Sequence, residues 1–339
     1  MPETSQRGLV VIGASAGGVE TLSRVVADLP ADFPGTICVV LHIAPGSPSA
    51  LAAILDRAGP LACRAAADGE PLEPHQILVA PPDRHLVIAD GRAGLTLGPR
   101  ENGHRPAVDV LFRSAATAHQ GRVVGVVLSG TRDDGTAGLS VIKAHGGSVI
   151  VQDPAEALYP GMPTNALAHV RADAVVPSSQ VAETVVRMLS ENPIVPPTPF
   201  DNPGHGANPG ATAAPVVSVC PECGGVLSEH RDAGMTQWRC RVGHRYSPES
   251  LADAQGEGVE AALWAAVRAL DDRQALLERM AAQLESRGQH RSARSFRRRA
   301  TEAGKQAVSV REAMGPAVAV SLGRIAADSG EEEAVIGQR

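Results

Sequence analysis

Runs of uninterrupted apolar residues constrain this chain most: Leu9-Val10-Val11-Ile12, Ile37-Cys38-Val39-Val40-Leu41, Val123-Val124-Gly125-Val126-Val127-Leu128 and Val149-Ile150-Val151. None alternates with polar residues, so strands built from them must be covered on both faces. Segments of helical character separate them, from Gly18 (Glu20, Leu22, Val25, Val26), over 49–55, over 108–119 and over 135–145. Shorter strands are expected at 77–80, 85–89, 95–97 and 173–176. The turns Pro81-Pro82-Asp83-Arg84 and Asp90-Gly91 make part of that region an antiparallel excursion. The alternation predicts an α/β fold over residues 1–190, a doubly wound and mostly parallel sheet.

In such a sheet, ligands bind at the rim formed by the carboxyl ends of the strands. The first run ends there in Gly13-Ala14-Ser15-Ala16-Gly17-Gly18. Three readings fit this turn. Gly13-x-Ser15-x-Gly17 matches a nucleophile elbow, in which a sharp turn exposes the serine. The same residues half-match a dinucleotide loop, with Ser15 where the second glycine belongs. Small residues also let a first helix pack close to its strand. The second run ends in His42, and the third leads into Ser129-Gly130-Thr131-Arg132-Asp133-Asp134-Gly135. A serine, a histidine and a carboxylate therefore fall on one rim, which is the requirement of a hydrolytic triad.

Composition narrows the partners. Aromatic residues make up 2% of the chain, too few for the stacking platforms of single-strand nucleic-acid binding. The net charge of −6 speaks against polyanion binding, and nucleic acid is not an expected partner. The polar start, Met1 to Arg7, runs straight into the first strand, which predicts no signal peptide. No apolar run approaches the roughly 18 residues that span a bilayer. No membrane insertion and a cytoplasmic location are expected.

Residues 191–215 carry seven prolines among glycine, asparagine and alanine, and read as a linker. Cys220-Pro221-Glu222-Cys223 and, sixteen residues on, Cys240-Arg241-Val242-Gly243-His244 follow. In a reducing compartment, three thiolates and an imidazole at this spacing suit tetrahedral zinc with no open position. A structural zinc is thus expected in a ribbon-like module over 216–248, with His230 as the alternative fourth ligand. Cys38 and Cys63 lie in apolar surroundings and read as buried thiols. Beyond the module, Leu263, Val267, Leu270, Leu277 and Leu284 share one seam, with Gln274 and Ala281 in register. Ala293, Phe296, Ala300, Ala303, Ala307, Val310 and Met314 share another, and Ser286-Arg287-Gly288-Gln289 parts them. This predicts a helical hairpin over 249–315, able to dimerise, and a flexible tail over 316–339. Arg291, Arg294, Arg297, Arg298 and Arg299 read as a solvated face among many acidic residues.

Several segments together resemble a known family. They are Gly13-Ala14-Ser15-Ala16-Gly17-Gly18, Leu41-His42, Ile77-Leu78-Val79-Ala80-Pro81, Asp83-Arg84-His85, Pro106-Ala107-Val108-Asp109-Val110-Leu111-Phe112, Ser129-Gly130-Thr131-x-x-Asp134-Gly135 and Gly161-Met162-Pro163. In this order they are similar to the catalytic domain of the bacterial CheB chemotaxis methylesterases, over residues 8–188. The resemblance implies a protein-glutamate methylesterase that acts on glutamate γ-methyl esters of chemoreceptors and also deamidates certain glutamines. It implies Ser15 as nucleophile, His42 as general base and acid, and Asp134 as the carboxylate that orients the imidazole. The backbone N–H groups of Ala16 and Thr131 would hold the oxyanion, and catalysis would need no cofactor. Asp133, the nearest rival to Asp134, reads as a solvated turn residue, and His85 as either a groove or a structural residue. Two departures stand out. Ala16 replaces the threonine common in the family, and the first strand begins near residue 9, which predicts no amino-terminal receiver domain. The competing reading is a non-catalytic signalling scaffold whose zinc module and hairpin recruit a protein partner or DNA.

Overall fold

The computed structural model describes residues 8–44, 49–119, 121–191 and 218–331, the stretch 315–331 as backbone alone. The chain divides into two compact units, Met1–Ala252 and Asp253–Arg339.

The first unit is built on β1 (Gly8–Ala14), α1 (Gly18–Ala27), β2 (Gly35–Leu41), α2 (Leu51–Ala58), β3 (Ala62–Ala65), β4 (Glu70–Pro71), β5 (Gln76–Val79), β6 (His85–Ala89) and β7 (Arg92–Thr96). It continues through α3 (Val108–His119), β8 (Val123–Val127), α4 (Thr136–Ala144), β9 (Ser148–Gln152), α5 (Gly161–His169), β10 (Ala174–Val176) and α6 (Ser178–Glu191). Seven strands form one parallel sheet in the order β10-β9-β8-β1-β2-β5-β3. The apolar runs are its central strands, and their alternate residues feed two cores. Leu9, Val11 and Val40 face α3 and α4, packing with Leu111, Phe112 and Leu139. Val10, Ile12 and Val39 face α1 and α6, packing with Leu22, Val25 and Val181. The chain winds outward from β1 through β2, then returns to β8 on the other side of β1. That reversal opens the crevice between the carboxyl ends of β1 and β8 in which such sheets place their sites.

The antiparallel excursion is present as a separate sheet, β4-β7-β6. Two of its neighbours escaped the sequence reading. β3 is an edge strand in which only Cys63 is buried, and β4 is two residues long. Neither carries the apolar run that marks a strand buried on both faces. Cys38 and Cys63 are buried thiols as expected, and burial pushes both up to about 12.

A three-stranded antiparallel sheet, β11 (Leu227–Asp232), β12 (Met235–Cys240) and β13 (Arg245–Tyr246), completes the first unit. The proposed linker 191–215 lies, but for its first residue, outside the described residues. The second unit holds most of α7 (Pro248–Ser286) and all of α8 (His290–Glu331). The pairs Asp271–Arg311 at 2.5 Å and Glu285–Arg297 at 3.1 Å fix the two helices antiparallel. The expected seams meet: Val267, Leu277 and Ala281 are buried, as are Ala293, Ala300, Ala303 and Ala307. Gly288, at φ 70°, turns the chain between them. One expectation fails. The helix does not stop at 315 but runs on to Glu331, through part of the segment read as a flexible tail. Pro316 removes one N–H donor without ending the helix. Among the described residues no helix is long and apolar enough to cross a membrane.

Candidate active site

The rim is assembled by register. Ala14 pairs with Leu41 across β1 and β2, and the His42 N–H donates to the Ala14 carbonyl at 3.2 Å. Ser15 and His42 thus follow a matched pair of residues on adjacent strands, with parent chains about 4.8 Å apart. On the other side of β1, the Ser15 N–H donates to the Ser129 carbonyl at 2.9 Å. Glycine at 130 is required by this close approach. A Cβ there would stand 2.1 Å from the Met162 sulfur and 2.9 Å from the Ser15 Cβ. The segment 129–131 is thereby held against the serine. At the start of α1, Gly17 takes the left-handed conformation (φ 71°), and a Cβ on it would meet the Ser129 hydroxyl at 2.9 Å.

Asp134 is 1% exposed and accepts four donors. Its Oδ2 accepts His42 Nε2–H at 2.7 Å and the Val108 N–H at 2.7 Å. Its Oδ1 accepts Asn102 Nδ2–H at 3.0 Å and the Asp109 N–H at 3.2 Å. Two of these donors are the free N–H groups of the first turn of α3, where the helix dipole favours negative charge. Val108 comes this near because position 13 is glycine; a Cβ there would lie 2.2 Å from a Val108 methyl. Burial pushes the Asp134 carboxyl upward, but the His42 hydrogen bond and charge and the Val108 N–H outweigh it. Asp134 is therefore held well below the usual carboxylate range. Its neighbour Asp109, equally buried, is pushed up by desolvation and by the Asp134 charge.

With Nε2–H given to Asp134, the His42 lone pair lies on Nδ1. That nitrogen is buried and has no hydrogen-bond partner among the described residues. Ser15 and His42 are thus neighbours by register, and His42 Nδ1 takes no hydrogen bond from the Ser15 hydroxyl. Such contacts tighten in substrate complexes. The His104 ring stacks on the His42 ring, centroids 3.6 Å apart and 7° from parallel. Burial, then the neighbouring His42, lowers His104 to about 3, so it stays neutral and does not repel a proton on its partner.

Asn102 and His104 were not singled out in the sequence, although a signal was there. Asn102-Gly103 occupies a tight turn in which both residues have positive φ, at 52° and 78°, and Glu101 and His104 exchange backbone hydrogen bonds. Asp133 needs correction. It is 7% exposed rather than solvated, and accepts the hydroxyls of Ser247 at 2.7 Å and Ser250 at 2.6 Å. Residues more than a hundred positions away bury it, which no local pattern announces. His85 is structural: Nε2 bonds the Pro99 carbonyl at 3.0 Å and Nδ1 accepts the Ala107 N–H at 3.2 Å.

This arrangement has known counterparts. The family model for CheB methylesterase matches residues 10–185, just over half of the chain. The chain belongs to the CheB methylesterase family. A protein-glutamate methylesterase/protein-glutamine glutaminase of Anaeromyxobacter dehalogenans is 43% identical over 190 residues, covering 56% of this chain and 56% of that protein. One of Symbiobacterium thermophilum is 38% identical over 186 residues, covering 55% and 51%. The crystal structure of the Thermotoga maritima CheB methylesterase catalytic domain superposes with a TM-score of 0.52 at 34% identity. It covers 53% of this chain and 98% of that one. The chain thus spans about half the length of the curated relatives it matches.

Beyond the CheB methylesterase domain, the cysteine module gathers as expected. Ligand atoms of Cys220, Cys223, Cys240 and His244 all lie within 4.8 Å of one another. The Cys223–Cys240 sulfurs are 3.7 Å apart, and His244 Nδ1 is 3.6 Å from Cys220 Sγ and 3.5 Å from Cys240 Sγ. Zinc bonds of about 2.3 Å to sulfur and 2.0–2.1 Å to nitrogen, set tetrahedrally, give edges of roughly 3.8 and 3.6 Å. The donor set fits. His230, on β11, is exposed and outside the group.

Proposed function

We propose that this chain is a protein-glutamate methylesterase acting on glutamate γ-methyl esters of chemoreceptor-like helices, with a capacity for glutamine deamidation. The observation that carries the reading is the His42–Asp134 pair at 2.7 Å, with Ser15 and His42 each following the last matched pair, Ala14 and Leu41, of two adjacent strands. His42 Nδ1 takes the Ser15 proton as the hydroxyl oxygen bonds to the ester carbonyl carbon. Asp134 keeps Nε2 protonated, so the base is Nδ1, and it stabilises the imidazolium that forms. The oxyanion is held by the N–H groups of Ala16 and Thr131. The adjacent donors of Ser15, Gly18 and Gly130 are already committed to carbonyls. Collapse expels methanol, which leaves with the proton from His42. Water, deprotonated by the same nitrogen, then adds to the acyl carbon and releases the free glutamate carboxylate and Ser15. The relatives' names state methylesterase and glutaminase activity together; both start from attack on a γ-carbonyl.

Cys220, Cys223, Cys240 and His244 are assigned to a structural zinc. All four positions would be filled by protein, leaving none for chemistry. The hairpin is assigned to self-association through α7 and α8, on which Leu276 and Met280, one turn apart, are exposed. A synthetic receptor helix bearing one glutamate γ-methyl ester tests the enzyme reading. The native chain should convert the ester to the carboxylate by mass, and His42→Ala should not. Conversion by neither, or by both alike, overturns it.

A further inference from the structure

The cysteine module does more than sit beside the CheB domain; its last strand and the first turn of α7 end on the catalytic carboxylate's own supports. The N–H of Asn102 donates to the Arg245 carbonyl at 2.8 Å, and the N–H of Arg245 to the Arg100 carbonyl at 3.3 Å. The N–H of Ser247 donates to Asn102 Oδ1 at 2.9 Å. That bond fixes which way the Asn102 amide faces. Its two Nδ2 hydrogens are thereby given to Asp134 and Asp109, both at 3.0 Å. Asn102 is 2% exposed, so a flipped amide would place its oxygen against two carboxyls with no water to intervene. On the adjacent residue, Ser247 and Ser250 both give their hydroxyls to Asp133 Oδ1. Ser247 also caps α7, its oxygen accepting the Ser250 N–H at 3.3 Å, with Pro248 in the first helical position.

We propose that Ser247 and Ser250 are positioning residues of the esterase: the metal-bound ribbon delivers them to Asn102 and Asp133, and these aim Asp134 at His42. A bound metal would hold Cys240 and His244, and His244 lies three residues before Ser247, so the cluster would set where the α7 cap begins. Ser247 and Ser250 lie outside residues 10–185, the span that matches the CheB methylesterase family model. This device makes the activity of the first domain depend on whether the cysteine cluster is filled. The inference rests on the methylesterase reading only for its kinetic consequence; the carboxylate geometry is measurable without it.

The test uses the full zinc-loaded chain and the variant Ser247→Ala/Ser250→Ala, with the low-field proton NMR resonance of His42 Nε2–H and methanol release as two separate readouts. We expect kcat to fall on the order of 10- to 100-fold with KM unchanged. The low-field resonance should broaden or shift upfield, Ser247→Thr/Ser250→Thr, which keeps both hydroxyls, should retain both native readouts, and zinc removal by a chelator should reproduce the loss. If the double variant does not fold, Ser250→Ala alone, which keeps the cap hydroxyl, serves with the same expectations. An active native chain with kcat and resonance unchanged in the variant, which loses both hydroxyls on Asp133 but keeps the Ser247 N–H to Asn102, overturns the positioning role of the two serine side chains while leaving the esterase intact. A native chain without activity overturns the esterase reading instead. The resonance alone then decides the positioning role, its loss in the variant supporting it and its persistence refuting it.

Discussion

Asp134 concentrates four donors on two oxygens, and its replacement should be read in kinetics before stability. In Asp134→Asn the side chain keeps its shape but presents an amide to His42, favouring the wrong imidazole tautomer. We expect kcat for ester hydrolysis to drop about 10⁴-fold with KM little changed; a small effect would mean that Asp134 does not orient the base. His104 gives a pH signature. Its folded value of about 3 lies below its ordinary 6.5, so the unfolded chain binds the extra proton between those limits. Stability contributed by the neutral stacked ring is therefore complete above pH 6.5 and is lost as the pH falls toward 3. The slope is up to about 1.4 kcal/mol per pH unit. Urea unfolding of native and His104→Asn protein between pH 7 and 4 should show the native curve falling more steeply; parallel curves would exclude the burial argument. Ser15, His42 and Asp134 were legible in the sequence because each ends an apolar run or sits in a motif. Asn102, Asp133 and His104 were not, since their roles come from a turn and from segments packed on it.

At the level of elements, both-face burial made the central strands plain: Val10 and Val11 feed opposite cores, so neither position tolerates polarity. The same criterion passes over β3, an edge strand with one buried side chain. The cysteine module was readable from ligand spacing, yet its contact with residues 99–102 was not, because β13 is only two residues long. A ribbon this small has little core of its own, so the proposed zinc would be coupled to its folding. Cys223→Ser should abolish stoichiometric zinc in the purified protein and lower the melting temperature of the first unit. Full zinc content in that variant would remove Cys223 from the ligand set.

On the scale of the whole molecule, the proposed tasks divide between the two units: chemistry at the sheet rim with the ribbon, association on the long helices. The two apolar seams read in the sequence lie on α7 and α8, and α8 continues past the Gly-Pro pair at which the sequence reading ended the hairpin. If the exposed pair Leu276 and Met280 forms the self-association surface, the native chain should sediment as a dimer. Leu276→Glu/Met280→Glu should then sediment as a monomer with its esterase site unaltered. A native monomer would dismiss that assignment without touching the chemistry.

The central claim is that the hydroxyl of Ser15 attacks a γ-methyl ester, and volatile methanol released from methylated chemoreceptor membranes tests it most directly. The native chain should release methanol in proportion to enzyme, and Ser15→Ala should fall by on the order of 10⁴–10⁶ in kcat, to near the uncatalysed background. Equal release by both proteins, or none by the native chain, would contradict it.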